Sequence, residues 1–332
     1  MTGTVVAIGA TGPLGRRVSA RLAAEGDEVR TTVFDAADLG AVLDRASTAV
    51  ALGHAVRASA ALDGTGLVAP DEPATRHLLD AVAEAGIGVV VWLSSAMVYG
   101  AWPENPIPLT ETAVRRPNPG LRFAEDKSDR DRQVLDWAAA HPSVRVVVLR
   151  PTVTVGADHS GWLARSPWSV TGVQVDDADA PSQFVHVDDV AAAVALAVDR
   201  PLAGVYNVAP DGWIPAEQLR ALSGPTPRLH LPAAAAELVA RLRFRAGFTG
   251  TPPAALPYTV HPWVVANDRL RAAGWEPGHS NEEAFVEADD GGIFAGLDPR
   301  RRQLLSLGAV GFVGAALVAA VAGLIVRRSR RR

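Results

Sequence analysis

Short apolar runs alternate with helical patterns through the first 150 residues of this 332-residue chain. Runs of this length, joined by amphipathic segments, are typical of parallel strands connected by helical crossovers. The pattern predicts strands at Thr4–Ile8, Val29–Phe34, Ala49–Leu52, Val89–Leu93 and Val144–Leu149. It predicts helices at Leu14–Ala24, Leu39–Arg45, Pro73–Ala85 and Glu125–Ala140. The expected fold class is α/β, with a doubly wound parallel sheet of the Rossmann type.

Beyond residue 150 the alternation gives way to loops rich in Pro and Gly. We expect residues 1–150 to form the first domain, 151–290 a smaller C-terminal lobe that completes the fold, and 291–303 a linker. Within the lobe the pattern predicts strands at Phe184–Val187 and Val205–Val208. It also predicts helices at Asp188–Val198, Ala216–Leu222, Ala233–Arg245 and Asn267–Ala273.

The C-terminus has a different composition. Residues 304–326 carry no charge and lie between Arg300–Arg302 and the basic tail 327–332. As a helix this run spans roughly 34 Å, enough for a bilayer core of about 30 Å. It therefore predicts a transmembrane anchor, and a buried helix of this length and uniformity in a soluble protein is the less favoured alternative.

Residues 1–299 carry 24 basic and 36 acidic side chains, a formal charge of −12. This acidic body has no basic stripe, so a nucleic-acid partner is not expected. The N-terminus has no basic segment ahead of its first apolar run, so we expect the body to lie in the cytoplasm. The arginines of the tail favour a cytoplasmic tail, so the orientation stays open. A helix that lies in the membrane interface, or a re-entrant segment, would reconcile the two signals. The chain has no cysteine, which excludes disulfides and thiolate metal sites.

Three glycines, Gly9, Gly12 and Gly15, follow the first predicted strand and open the first predicted helix. Glycines at such a turn let the backbone approach a pyrophosphate, whose charge meets the amides and the positive end of the helix. With Thr11 between them, they predict a dinucleotide site. The alternative is a plain turn between strand and helix.

An acidic or basic residue at the end of the second strand commonly recognises the adenosine ribose of a bound dinucleotide. This region offers Asp35, Asp38 and Arg30. Asp35 serves either the ribose or the cap of the next helix, and the choice between NAD and NADP stays open. The run at Ala49 resembles a fourth strand, because the segment before it is too short for a full third strand and its crossover.

Lys127 is the only lysine in a chain with 31 arginines. A lysine ammonium is a compact point charge, whereas a guanidinium is a wide planar fork that does not replace it in a narrow pocket. We therefore expect Lys127 to be a functional residue. The alternative is a lysine left by chance on a solvated helix.

Four further motifs follow the glycine loop in order: VWLSSAMVYG (91–100), VVVLRPTVTVG (146–156), FVHVDDVAAAV (184–194) and GVYNVAPDG (204–212). With them, residues 3–290 resemble the extended short-chain dehydrogenase/reductase family, the NAD-dependent epimerases and dehydratases. The resemblance implies that Ser95 hydrogen-bonds the reacting oxygen of the substrate. It also implies that Lys127 holds the nicotinamide ribose and lowers the pKa of a tyrosine four residues before it.

That tyrosine is absent, because Phe123 stands at its position. A phenyl ring has no proton to transfer, so the usual acid and base is removed. Three interpretations remain: Tyr99 or a water transfers the proton, the chemistry needs only hydride transfer or binding, or the protein binds cofactor without turnover. For Tyr99 the structural alternative is a packing role, and Ser94 is expected to satisfy amides at the strand end.

Other polar groups are weaker candidates. The acidic run Asp176, Asp177 and Asp179 is expected to be a solvated loop, and His186 with Asp188 and Asp189 to cap a helix. Arg150 pairs with either an anionic substrate or a structural carboxylate. The histidines show no spacing typical of metal ligands, so no metal is expected.

The sequence thus predicts a membrane-anchored NAD(P)-binding oxidoreductase that acts on a nucleotide sugar or a similar carbonyl or alcohol substrate. The rival prediction is a membrane-anchored dinucleotide-binding regulator or scaffold without turnover. A homodimer is compatible with either prediction.

Overall fold

The computed structural model describes residues 3–10, 12–34, 36, 38–55, 67–156, 159–160, 173–175, 179–222, 229–246 and 251–288. In these parts of the chain the strands, named β1 to β13 in order, are Thr4–Ile8, Glu28–Thr32, Thr48–Ala51, His54–Ala55, Leu67–Val68, Val89–Leu93, Arg145–Pro151, Val153–Gly156, His159–Ser160, Val173–Val175, Phe184–His186, Gly204–Val208 and Leu229–Leu231. The α-helices, named α1 to α10 in order, are Pro13–Ala24, Leu39–Leu43, Glu72–Glu84, Arg122–Ala140, Val187–Asp199, Ala216–Leu222, Ala233–Arg245, Pro257–Val260, Asp268–Ala272 and Asn281–Ala288. Short 3-10 helices lie at Ala96–Tyr99 and Pro253–Ala255.

The main sheet has the strand order β12-β7-β6-β3-β1-β2 among the described residues, and every neighbouring pair is parallel. The chain runs from β1 outward to β2 and then returns to place β3 on the other side of β1. The strand order therefore reverses at β1, and ligands of open parallel sheets bind at the carboxyl ends beside such a reversal. The predicted doubly wound parallel sheet of the Rossmann type is confirmed.

Both faces of this sheet are apolar because helices cover both. Along β1, Val5 faces one cluster of buried side chains and Val6 the other, as expected from the alternation of side chains in a strand. The first cluster includes side chains of α1 and α5, and the second includes side chains of α2, α3 and α4. Full burial of each Val or Leu side chain contributes about 1.5–3 kcal/mol before the cost of ordering the chain.

Strand β2 is the edge of the sheet within the described residues, and its side chains are partly or fully exposed. The classical doubly wound order has a third strand outside the second. Here α2 follows β2, and the next strand of the sheet is β3, hydrogen-bonded to β1. The sequence interpretation of Ala49–Leu52 as a fourth strand is therefore confirmed, with the strand observed at Thr48–Ala51.

The C-terminal segment returns to the main sheet through β12, which pairs with β7. The rest of this segment forms a three-stranded sheet of order β11-β8-β9, a parallel pair of β10 and β13, and helices α6 to α10. A third apolar cluster joins it to the 3-10 helix Ala96–Tyr99 at the end of β6. The lobe therefore packs against the carboxyl end of the strand that carries Ser94 and Ser95.

Among the residues that the structure describes, no helix is both long and apolar enough to cross a bilayer. The predicted anchor at 304–326 lies outside those residues, as do the predicted linker 291–303 and the basic tail 327–332.

Candidate functional site

In the loop between β1 and α1, two of the three glycines have neighbouring backbone atoms that leave no room for a side chain. Gly9 has φ of +79°, and a Cβ there would lie 1.8 Å from the carbonyl oxygen of Gly53. A Cβ on Gly15 would lie 2.4 Å from backbone atoms of Ala10. Neither position accepts a side chain without a backbone shift, so these two glycines fix the sharp turn from β1 into α1.

The remaining glycine, Gly12, has open space beside its Cα among the described residues. Within the part of the chain that the structure describes, a Cβ on Gly12 would meet no atom within 4 Å. Gly12 is the N-cap of α1, with no side-chain cap and no acidic residue in the first turn. The first amides of α1 and the helix dipole therefore leave a favourable place for an anion beside a residue with no side chain. This arrangement fits a pyrophosphate at the reversal point of the sheet.

The adenosine end of the predicted site falls partly outside the described residues, because neither Thr11 nor Asp35 is among them. The neighbouring geometry narrows the alternatives for Asp35. The N-cap of α2 is Asp38, whose Oδ1 accepts a hydrogen bond from Ala41 N at 2.9 Å. The alternative that Asp35 caps this helix is therefore wrong, and its assignment to the ribose stays a prediction.

Ser95 lies at the end of β6 and is fully buried. Its Oγ accepts a hydrogen bond from Met97 N at 3.3 Å and so caps the 3-10 helix Ala96–Tyr99. Ser94 N donates to Leu149 O, while Ser94 Oγ is buried and has no hydrogen-bond partner among the described residues. The expectation that the Ser94 side chain satisfies the amides at the strand end is wrong, since the capping side chain is that of Ser95.

Lys127 lies on α4 with its side chain directed toward the end of β6. Its Nζ donates to Ser94 O at 3.3 Å, and the residue is only 2% exposed. The alternative of a chance lysine on a solvated helix is therefore wrong, because a buried ammonium requires compensating interactions. Lys127 and the Ser94–Ser95 strand end meet at the same point, as the resemblance implied.

Phe123 lies one turn before Lys127 on α4, and the Lys127 ammonium is 5.4 Å from the centre of its ring. The phenyl ring is partly buried against the apolar cluster that contains Ala96 to Tyr99. The position therefore lies beside both candidate residues. It provides a cation–π contact of about 0.5–2 kcal/mol but no proton.

Tyr99 is engaged in a buried hydrogen-bond network. Its hydroxyl donates to Asn207 Oδ1 at 2.8 Å and accepts from Arg150 Nη1 at 2.9 Å. Burial raises the pKa of Tyr99, although the charge of Arg150 acts in the opposite direction. The hydroxyl is thus held protonated between β7 and β12, which favours the packing alternative for Tyr99. Its role as a substitute acid stays a prediction.

Arg150 donates through Nε to Asp131 Oδ2 at 2.9 Å, and both side chains are almost completely buried. Arg150 thus has the structural carboxylate partner that the sequence left as one alternative. Asp131 and Asn207 were not singled out from the sequence. The available signal for Asp131 was its position four residues after Lys127, on the same face of α4.

The remaining polar candidates either cap a helix or lie on the surface. His186 Nδ1 accepts from Asp188 N and caps α5, so the capping interpretation is confirmed. Asp188 forms an ion pair with Arg17 of α1. Asp179 is highly exposed near Arg220, and the other two aspartates of that run lie outside the described residues.

The parallel sheet, its reversal at β1 and the open glycine at the start of α1 define a dinucleotide-binding protein of the Rossmann type. The model of the NAD dependent epimerase/dehydratase family matches residues 5–209, and the chain belongs to this family. The predicted family is therefore confirmed. The predicted cofactor class, NAD or NADP, is also confirmed.

Among curated proteins, a UDP-glucose 4-epimerase of Azospirillum brasilense is 33% identical over 144 residues, or 36% of this chain and 40% of that protein. An uncharacterized protein of Mycobacterium tuberculosis is 26% identical over 214 residues, or 64% of this chain. The match spans 57% of that relative's length.

Solved structures share the fold over most of the chain. The UDP-glucose 4-epimerase of Thermus thermophilus, in complex with NAD, has a TM-score of 0.60 at 18% identity, covering 89% of this chain and 100% of that one. RMD from Pseudomonas aeruginosa, complexed with NADPH, has a TM-score of 0.59 at 19% identity, covering 86% and 97%. At this identity they show the fold alone.

Proposed function

We propose that this protein is an oxidoreductase of the epimerase/dehydratase type that binds NAD or NADP and acts on a nucleotide sugar. The observation that carries the proposal is the meeting of the buried Lys127 with the end of β6 at Ser94 and Ser95. The nucleotide-sugar substrate is supported by the UDP-sugar epimerases among the similar proteins. A related carbonyl or alcohol compound fits the same chemistry.

The residues present fit a dinucleotide. Gly12 and the first amides of α1 would hold the pyrophosphate, since that space is open and no side chain caps the helix. Lys127 would hold the nicotinamide ribose, as the family resemblance implies. When bound, the cofactor accepts or supplies a hydride at the substrate carbon.

Ser95 would orient the reacting oxygen of the substrate. A hydroxyl can accept one hydrogen bond and donate another, so Ser95 could donate to the substrate oxygen while it accepts from Met97 N. Lys127 would add a positive charge near the same oxygen and stabilise negative charge that develops there. Phe123 contributes no proton, so proton transfer would depend on Tyr99 or on water and would be slow.

The second candidate function is cofactor binding without turnover, and Phe123 is the observation that favours it. To separate the two, the purified full-length protein is titrated calorimetrically with NAD, NADH, NADP and NADPH. It is then incubated with UDP-sugars while the absorbance of reduced nicotinamide and the sugar products are followed. Binding with product formation supports the enzyme, binding alone supports the regulator, and no binding at millimolar concentration contradicts both.

We also propose that residues 304–326 anchor the protein in a membrane with the body in the cytoplasm. The support is the uncharged run between two arginine clusters and the acidic body ahead of it. Full-length protein should sediment with membranes, and removal of residues 300–332 should release it. Recovery of the full-length chain in the soluble fraction would contradict the anchor, and a body protected from protease in inside-out vesicles would contradict the orientation.

A further inference from the structure

Two histidines and a glutamate converge on the face of the C-terminal lobe where α10 packs on β8 and β11. His186 ends β11, His279 precedes α10, and Glu287 lies in the last turn of α10. One nitrogen from each histidine and one oxygen of Glu287 lie within 4.8 Å of one another. We propose that these three side chains form a binding site for a divalent cation of the zinc type.

The buried member of the group has an unused polar atom. His186 is 3% exposed, and its Nε2 makes no hydrogen bond to any residue that the structure describes. Glu287 Oε2 lies 3.4 Å from that nitrogen without forming a hydrogen bond to it. A buried nitrogen without a partner is costly, and a cation between it and the carboxylate would satisfy both groups.

His279 is oriented by a carboxylate. Its Nδ1 lies 3.1 Å from Asp189 Oδ2, and Asp189 also accepts hydrogen bonds from Gly278 N and His279 N. This leaves Nε2 of His279 for a metal. A carboxylate on the other ring nitrogen is the usual outer partner of a metal-bound histidine, because it fixes the tautomer and the direction of the ring.

His186 also has a carboxylate near its other ring nitrogen, at a longer distance. Without an ion, Asp188 N donates to its Nδ1 at 3.3 Å, which puts the ring proton on Nε2. With an ion on Nε2, the proton belongs on Nδ1, so the hydrogen bond from Asp188 N that caps α5 would be given up. Asp188 Oδ2, 3.6 Å from Nδ1, is the carboxylate that would face that proton. Binding therefore requires a change of tautomer at His186.

The ligand set indicates which cation fits. Two imidazoles and one carboxylate are ligands of Zn²⁺, whereas Mg²⁺ and Ca²⁺ select oxygen atoms. The side chains of His279 and Glu287 are 32% and 44% exposed, so a hydrated ion can enter from solvent and keep a water as its fourth ligand. The bound ion would join β11, the loop before α10 and α10 itself, and its role would be to stabilise the lobe.

The test uses the full-length protein without an affinity tag, stripped with chelator and titrated calorimetrically with zinc chloride. Each chain should bind one zinc ion, with a rise in the melting temperature and no comparable effect of magnesium. Glu287→Gln and His279→Gln should each weaken zinc binding by about 10-fold or more. Both replaced side chains are partly exposed, so the variants are expected to fold.

Glu282→Gln is the matched control on the same helix. Its carboxylate accepts from Gln218 Nε2, a role that the amide oxygen of Gln retains, and it lies outside the cluster. Zinc affinity in this variant should equal that of the wild type. Absence of zinc binding in the wild type, or unchanged affinity in both cluster variants, would overturn the site. None of these outcomes depends on cofactor binding or turnover.

Discussion

The residues expected to bind the cofactor and the residue expected to transfer a proton differ in this chain. The glycine loop and Lys127 keep the geometry of a cofactor site, with an open space at Gly12 and a buried ammonium at the strand end. The position that the family resemblance assigns to the acid and base, one helical turn from Lys127, holds Phe123. If these assignments hold, binding and proton transfer depend on different positions, and the phenyl ring at position 123 removes the proton donor while the buried ammonium of Lys127 stays in place.

Restoring a phenol at position 123 is expected to produce the largest effect. In Phe123→Tyr the hydroxyl would lie beside Lys127 and the end of β6, and turnover of a UDP-sugar should rise by about 10² to 10⁴. Turnover is measured from the sugar products under saturating cofactor. Phe123→Leu is the control without a phenol and should show no gain.

The same gain should depend on Ser95. Adding Ser95→Ala to Phe123→Tyr should remove most of the increase, because the substrate oxygen would lose its hydrogen-bond donor. A double variant as active as Phe123→Tyr would show that Ser95 has only its capping role toward Met97 N.

On the binding side, Gly12→Val should weaken dinucleotide affinity by about 10-fold or more, because the new side chain fills the space beside the amides of α1. Calorimetric titration measures the change. Gly88→Val is the matched control: it precedes β6 at the amino end of the strand, and its added Cβ would come no closer than 4.0 Å to Ser47 O. Equal losses in both variants would contradict the assignment of the loop.

The sequence predicted the main sheet well because both faces of its strands are buried. Thr4–Ile8 and Val89–Leu93 have the bounds predicted from their apolar runs. Strand β2 is less well predicted, since it lies at the edge and its pattern of exposed residues gives a weak signal. Small elements such as β8, β10 and α10 were missed, because they are short or depend on contacts with distant segments.

For the site, sequence motifs located the residues but not their partners. The interpretations of Ser94 and Ser95 needed the path of the backbone after β6, which decides which hydroxyl caps the 3-10 helix. The network of Tyr99 joins residues more than 100 positions apart, and no local pattern predicts it. The same applies to His186 and His279, whose spacing along the chain resembles no metal motif.

Lys127→Arg tests the binding region with a smaller change. The charge is kept, but a guanidinium does not fit the space of a buried ammonium beside Ser94 O. Dinucleotide affinity should fall by about 10-fold, measured by calorimetry alongside thermal unfolding of the apoprotein. Unchanged affinity would show that Lys127 supports the strand end without contacting the cofactor.

Tyr99→Phe tests whether the buried network of Tyr99, Asn207 and Arg150 contributes to cofactor binding or to proton transfer. Of the variants, it should change function least. The variant leaves Asn207 Oδ1 and Arg150 Nη1 without their buried partner, so the free energy of unfolding should fall by about 1–3 kcal/mol in urea titrations. Cofactor affinity should stay at the wild-type value, because the hydroxyl is directed toward β7 and β12. Adding Tyr99→Phe to Phe123→Tyr should leave the turnover of Phe123→Tyr unchanged. If Tyr99→Phe instead lowers turnover in the otherwise wild-type protein without loss of stability, Tyr99 is the substitute acid.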